Sequence, residues 1–411
     1  PAQTVAGGQD EAVVQPLWSP GGTLHYLSDR SDNWQVYALG SDSAVTNVPG
    51  EVGLPPWVFG LSSYAFDSQG ELVNTRVTSG IGYLDGFPQY SSFKSLMTSG
   101  DNLSFAGAAW DRDTAVVFNG EEVVAPLETG YSSDFFPPAE PIEFSTGDRE
   151  TAYALYFAPE HPDFEAPPGE KPPLIVLAHG GPTSAAASRL VLSRHFWTSR
   201  GFAVVDVNYR GSSGFGRAYR KKLERNWGIA DVEDCVNAAR FLVERGDVDP
   251  DRLIIRGGSA GGYTVLSALA FHDTFTAGTS MYGIADLEAL AADTHKFESR
   301  YLEKLIGPYP EEQEVYRARS PIHHLQGFSA PMLVLQGSED AIVPPNQSRM
   351  IVDALNEKNI PVAYIEFEGE QHGFRKAESI RRALLSELMF YGRIFGFDPA
   401  DEKIPLDLRN F

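Results

Sequence analysis

The chain has little sulfur and comparatively little positive charge. Its 411 residues include one cysteine, Cys235, which excludes an intrachain disulfide framework. That cysteine stands on an apolar helical stripe, which marks it as a buried hydrophobe rather than a nucleophile. Lys and Arg number 33 against 55 Asp and Glu, a formal net charge of −22. Nucleic acid and anionic membrane surfaces both demand a basic face, so neither is expected as a partner. No apolar run reaches the roughly 18 residues of a membrane span. No signal peptide follows Pro1, and a cytoplasmic location is the expectation. A start at Pro rather than Met implies a processed N-terminus or a piece of a longer chain. No group of His, Cys and carboxylates stands at metal-ligand spacing, so neither a metal nor a cofactor is expected.

What is present is a soluble, globular composition, 42% hydrophobic and 21% charged, on a chain long enough for two domains. A seam of Pro and aromatic residues runs from Asp134 to Pro141. Before it, strands and polar turns dominate. Thr23–Leu27 and Trp34–Leu39 flank Ser28-Asp29-Arg30-Ser31 as a hairpin. A related unit runs from Tyr64–Val73 to Ile81–Leu84, and a fainter third from Leu103–Phe105 to Val116–Phe118. Units of this length recurring at irregular intervals suit about three blades of a β-propeller, with a plain β-sandwich as the alternative. After the seam, strands alternate with helices. Ile142–Phe157 reads as an antiparallel edge hairpin. Strands follow at Leu174–Ala178, Phe202–Val207, Leu253–Ile255, Pro331–Gly337 and Val362–Phe367. Helices fit Ser188–Ser199, Ile229–Glu244, Tyr263–Ala270, Pro345–Lys358 and Ala377–Phe390. This alternation builds a mostly parallel, doubly wound sheet with catalytic loops at the C-terminal ends of its strands.

One such loop is Gly257-Gly258-Ser259-Ala260-Gly261-Gly262, between a strand and a helix. Strand, tight turn with Ser at its apex, then helix is the nucleophile elbow of an α/β-hydrolase fold. Gly257 and Gly261 relieve crowding in a strained turn. A merely structural Gly-rich turn is the plainer reading, and the residues downstream decide against it. Asp340 lies just past the strand ending at Gly337, and His372 just past the strand ending at Phe367, in the order this fold requires. Ser259 needs a base to take its proton, and His372 fits. Asp340 would fix the imidazole tautomer. The backbone N–H groups of Ala260 and Gly181 are the expected oxyanion donors. Glu339 and Asp286 are weaker alternatives for the acid and His179 for the base, while His272, His295, His323 and His324 read as packing or surface residues. The apolar Ile342-Val343-Pro344 is expected to anchor the Asp340 loop.

Residues 139–411 resemble the prolyl oligopeptidase family of serine peptidases, on its acylaminoacyl-peptidase-like and dipeptidyl-aminopeptidase-like side. The motifs are His179-Gly180-Gly181-Pro182, Asn208–Gly216, Gly257–Gly262, Gln336-Gly337 with Asp340 and Val343-Pro344, and Glu370–Phe374. The resemblance implies a propeller (residues 1–135, incomplete) before an α/β-hydrolase domain (136–411), and Ser259, Asp340 and His372 as the triad. It also implies short peptides or aminoacyl and acylaminoacyl amides as substrates. Ala341 and Ile342 stand where acylaminoacyl peptidases often carry Arg, and the paired glutamates of dipeptidyl peptidases are not found. A carboxylesterase or amidase on the same scaffold, and a binding module with an inert hydrolase unit, are the other classes. Association with a further propeller segment, or with a second copy, is the expected assembly.

Overall fold

The computed structural model describes residues 3–55, 57, 60–293, 296 and 298–411. The first part of the chain forms three small antiparallel sheets in succession. The first holds Val13–Trp18, Leu24–Ser28 and Gln35–Ala38, and the second Tyr64–Phe66, Leu72–Thr78 and Ile81–Leu84. The third holds Ser92–Ser99, Asn102–Ala109, Arg112–Phe118 and Glu121–Val124. Two of the connections are two-residue hairpin turns with both residues at positive φ: Ser79-Gly80 (50° and 77°) and Asn119-Gly120 (49° and 86°). The unit with the faintest sequence pattern forms the largest sheet. Its outer strand, Glu121–Val124, is exposed along its whole length and is held by backbone pairing to Val116–Phe118, so it shows no alternation to read. Small cores lie under these sheets, around Trp34, Val36 and Tyr64 in one and Tyr90, Leu96 and Phe105 in another.

The rest of the chain builds one nine-stranded sheet. Its strands are β1 (Glu140–Ser145), β2 (Thr151–Phe157), β3 (Leu174–Ala178), β4 (Ala203–Asn208), β5 (Leu253–Gly258), β6 (Ala277–Met281), β7 (Met332–Gly337), β8 (Val362–Phe367) and β9 (Leu408–Arg409). They lie in the order β1-β2-β4-β3-β5-β6-β7-β8-β9. From β4 to β8 neighbours are parallel, and β1, β2 and β9 are antiparallel additions at the edges. Strands buried on both faces explain the near-continuous apolar runs in the sequence. In β3, Leu174 and Val176 pack into the larger core and Ile175 into the other.

Helices α1 (Leu192–Thr198) and α5 (Ala377–Phe395) cover one face, with Trp197, Leu388 and Tyr391 in its core. On the other face lie α2 (Ala230–Arg245), α3 (Ala260–Phe271) and α4 (Pro345–Glu357), bringing Val236, Leu269 and Val352 into the larger core. α1 begins later than the sequence pattern suggests. The backbone before it is committed to the small sheets: Ser188 N–H donates to Gly80 at 3.0 Å and Leu190 N–H to Ala109 at 2.7 Å. α5 runs past Phe390 and ends at Gly396, whose φ of 74° closes it in the left-handed conformation. Short helices at Leu287–Asp293, Tyr301–Leu305 and Gln313–Arg319 carry no two-turn apolar period and were not expected. Among the described residues, no helix is long and apolar enough to cross a membrane.

Candidate active site

Ser259 stands between β5 and α3 with φ 56° and ψ −123°, a conformation that L residues rarely adopt. The turn closes only because its neighbours are small. A Cβ on Gly261 would sit 2.0 Å from the Ala178 carbonyl oxygen, and one on Gly257 2.4 Å from that of Gly261. The backbone strain is therefore held by close packing of β3 against the turn, and it leaves the Ser259 hydroxyl projecting from the sheet's edge.

The loops after β7 and β8 bring the other two side chains to it. His372 Nε2 lies 2.8 Å from Ser259 Oγ, and His372 Nδ1 lies 2.8 Å from Asp340 Oδ2. Asp340 is buried and ordered from all sides. Its Oδ1 accepts the backbone N–H groups of Ile342 and Val343, both at 2.9 Å, and Gln336 Nε2 donates to Oδ2 at 3.2 Å. With Oδ2 accepting from Nδ1–H, Nε2 is free to accept from the serine hydroxyl. The loop's apolar anchor is Val343, fully buried. Ile342 was expected to share that task but is 43% exposed, because its backbone turns around the Asp340 carboxylate. Below His372, Glu370 is buried and accepts the N–H groups of Arg375 and Lys376. Burial pushes its carboxyl up, but those two backbone donors, with the Ser379 hydroxyl and the Lys376 charge, together hold it below the usual range.

The loop after β3 lies against the nucleophile: a Cβ on Gly180 would be 3.7 Å from that of Ser259. Neither Gly181 N–H nor Ala260 N–H donates to a protein acceptor among the described residues. His179 is committed elsewhere. Its ring stacks on Tyr209 at 4.1 Å, Nδ1 faces the Gly180 carbonyl at 2.8 Å and Nε2 the Ser212 hydroxyl at 2.7 Å. Burial depresses its pKa, which suits a neutral ring that orders the loop.

The remaining candidates lie apart from this cluster. Glu339 is exposed, and its backbone N–H donates to Glu370 at 2.9 Å. Asp286 caps Leu287–Asp293 by accepting the Glu288 and Ala289 N–H groups. Asp286, Glu288 and His323 do come together, but Glu288 is already paired with Arg317 at 2.8 Å. His324 packs edge-on against Phe271, and His272 follows α3. His295 lies outside the described residues. Sequence reasoning placed Gln336 in a motif without giving it a role, and missed Tyr282. Gln336 carried a signal, a polar residue inside an apolar strand. Tyr282 carried none; its ring meets His372 edge-on at 5.0 Å.

A hydroxyl, an imidazole and a carboxylate joined in line on a strand–turn–helix are the equipment of a serine hydrolase. Residues 189–398 match the model of the prolyl oligopeptidase family, and the chain belongs to that family. It is 30% identical over 250 residues to dipeptidyl aminopeptidase BIII of Pseudoxanthomonas mexicana, covering 59% of this chain and 36% of the relative. An acylamino-acid-releasing enzyme of Arabidopsis thaliana is 29% identical, over 55% of this chain and 30% of its own. Among solved structures, a Mycobacterium tuberculosis puromycin-hydrolyzing peptidase superposes with a TM-score of 0.93 at 39% identity, over 98% of this chain and 66% of that one. A puromycin hydrolase gives the same TM-score at 35% identity, over 99% and 65%. The chain thus spans about a third of the length of these curated relatives and just under two thirds of the solved ones.

Proposed function

We propose that the chain is a serine peptidase cleaving short peptides or aminoacyl and acylaminoacyl amides through an acyl-enzyme. The in-line contact of Ser259, His372 and Asp340 carries this reading. Ser259 Oγ attacks the scissile carbonyl carbon as His372 Nε2 takes its proton. Asp340 holds the imidazolium that forms, and the Ala260 and Gly181 N–H groups stabilise the oxyanion. The C–N bond then breaks and His372 gives its proton to the leaving amine. Water attacks the ester, His372 takes a proton from it, and that proton returns to Ser259 Oγ as the acid leaves. No cofactor is involved.

The family relatives named for dipeptidyl, acylaminoacyl and puromycin hydrolysis support small substrates. The three small sheets, residues 1–135, are in this reading part of a β-propeller, and 136–411 the hydrolase domain. Working in the cytoplasm, it would be completed by a further propeller segment or pair with a second copy. A fluorophosphonate should label Ser259, and Ser259→Ala should lose kcat by about 10³-fold or more. Labelling at another residue, or a variant within tenfold of the parent, would sink the assignment.

A further inference from the structure

A cavity of about 670 Å³ lies between the small sheets and the loop that follows β3. Leu27, Val52, Trp57 and Phe93 give it apolar walls. Its charged lining has one sign. Among the described residues it contains Arg76, Lys94 and Arg189 and no carboxylate, in a chain where acids outnumber bases by 55 to 33. Arg76 is paired with Asp85 at 2.9 Å. Lys94 and Arg189 are exposed, and neither is in an ion pair among the described residues.

Arg189 is also well placed. Its backbone is pinned on both sides by the bonds from Ser188 to Gly80 and from Leu190 to Ala109. It lines a second, smaller cavity too, which reaches His179, Gly257 and Gly258 at the base of the Ser259 turn. Thr183 and Ser184, on the loop that passes Ser259, line the large cavity. The chamber and the reacting hydroxyl therefore share one loop, and an uncompensated guanidinium stands beside it. Without a carboxylate beside it among the described residues, this exposed guanidinium at the chamber wall is open to a charge-assisted pair with an anion.

From this we infer that the chamber selects peptides carrying a carboxylate on the part that lies within it, held by Arg189 with Lys94 in support. The inference rests on the peptidase reading above and names the substrate class of the same site. A free C-terminus and an acidic side chain offer the same group, and three tripeptides separate them: a free acid, its C-terminal amide, and an amide with glutamate in place of one residue. The free acid should exceed its amide in kcat/KM by about tenfold, the effect of one charge-assisted hydrogen bond. Arg189→Gln should reduce that ratio below about threefold, and Lys94→Gln should lower it partway. The ratio is unaffected by a general loss of folded enzyme. If the glutamyl amide matches the acid, side-chain carboxylates are accepted; if it matches the plain amide, the C-terminus alone is held. Equal cleavage of acid and amide by the parent, or an unchanged ratio in Arg189→Gln, would overturn the inference and leave the peptidase standing. Titrating Ser259→Ala with the same peptides reads the preference without turnover. Preference for the acid there, with no cleavage by the parent, would instead overturn the peptidase reading.

Discussion

Asp340 and Glu339 are adjacent acids with opposite surroundings. The Asp340 carboxylate is buried, accepts two backbone N–H groups and the Gln336 amide, and meets His372 at 2.8 Å. Glu339 is tied to the loop through its backbone and, among the described residues, through no side-chain bond, and it is exposed. Asp340→Asn keeps the shape but presents an amide to Nδ1, which favours the wrong tautomer, so kcat should fall by roughly 10⁴-fold. Glu339→Gln should change kcat by less than about tenfold. The reverse ranking, in folded variants, would transfer the role to Glu339. At this scale much was legible, because Ser259, Asp340 and His372 each stand at the end of a readable strand. Gln336 and Tyr282 were given no role: Gln336 orders its own loop through Asp340 and Val343, a turn that only the folded chain shows, and Tyr282 meets His372 from a distant segment.

Between elements, the strand that carries the nucleophile is fastened to the last long helix. Arg256 of β5 meets Glu387 of α5 with two hydrogen bonds, at 2.6 and 2.9 Å, and Glu387 is fully buried. Burial opposes the guanidinium charge, but the Glu387 carboxylate outweighs it and raises the Arg256 pKa above its ordinary range. Thr279 of β6 and Tyr391 of α5 add a hydroxyl contact at 2.6 Å on the same face. Removing one partner of a buried pair leaves the other uncompensated, which costs about 3–5 kcal/mol. Glu387→Gln should show that loss in urea unfolding, and a change under about 1 kcal/mol would contradict it. The apolar runs and helical periods made β3, β4, β5, β7, β8 and the long helices readable, whereas β6, with its small and polar Ala-Gly-Thr-Ser-Met, carries no such run. The Arg256–Glu387 pair was not, because a charge inside an apolar strand has no meaning until its partner on another element is known.

Across the whole molecule, the small sheets and the central sheet meet through a buried ionic seam. Arg220 reaches Asp29 at 2.6 Å and Glu51 at 3.5 Å. Glu51 is fully buried; its Oε2 accepts the Gly214 N–H at 2.6 Å, while Oε1 has no hydrogen-bond donor among the described residues. Burial outweighs the nearby Arg220 and pushes the Glu51 carboxyl up from 4.5 to about 7. The folded state therefore keeps this proton to about pH 7, whereas the unfolded chain releases it near 4.5. Between those values the folded state binds more protons, so stability falls as pH rises. The contribution is full below 4.5 and is lost as pH passes 7, at most about 3 kcal/mol for a shift of this size. Glu51→Gln preserves an oxygen for the Gly214 N–H and removes the titration. The parent's Tm relative to that variant should decline steadily from pH 5 to pH 8, whatever other groups titrate in both. A constant difference across that range would show that Glu51 is ionised in the folded seam, with Arg220 rather than burial deciding its charge.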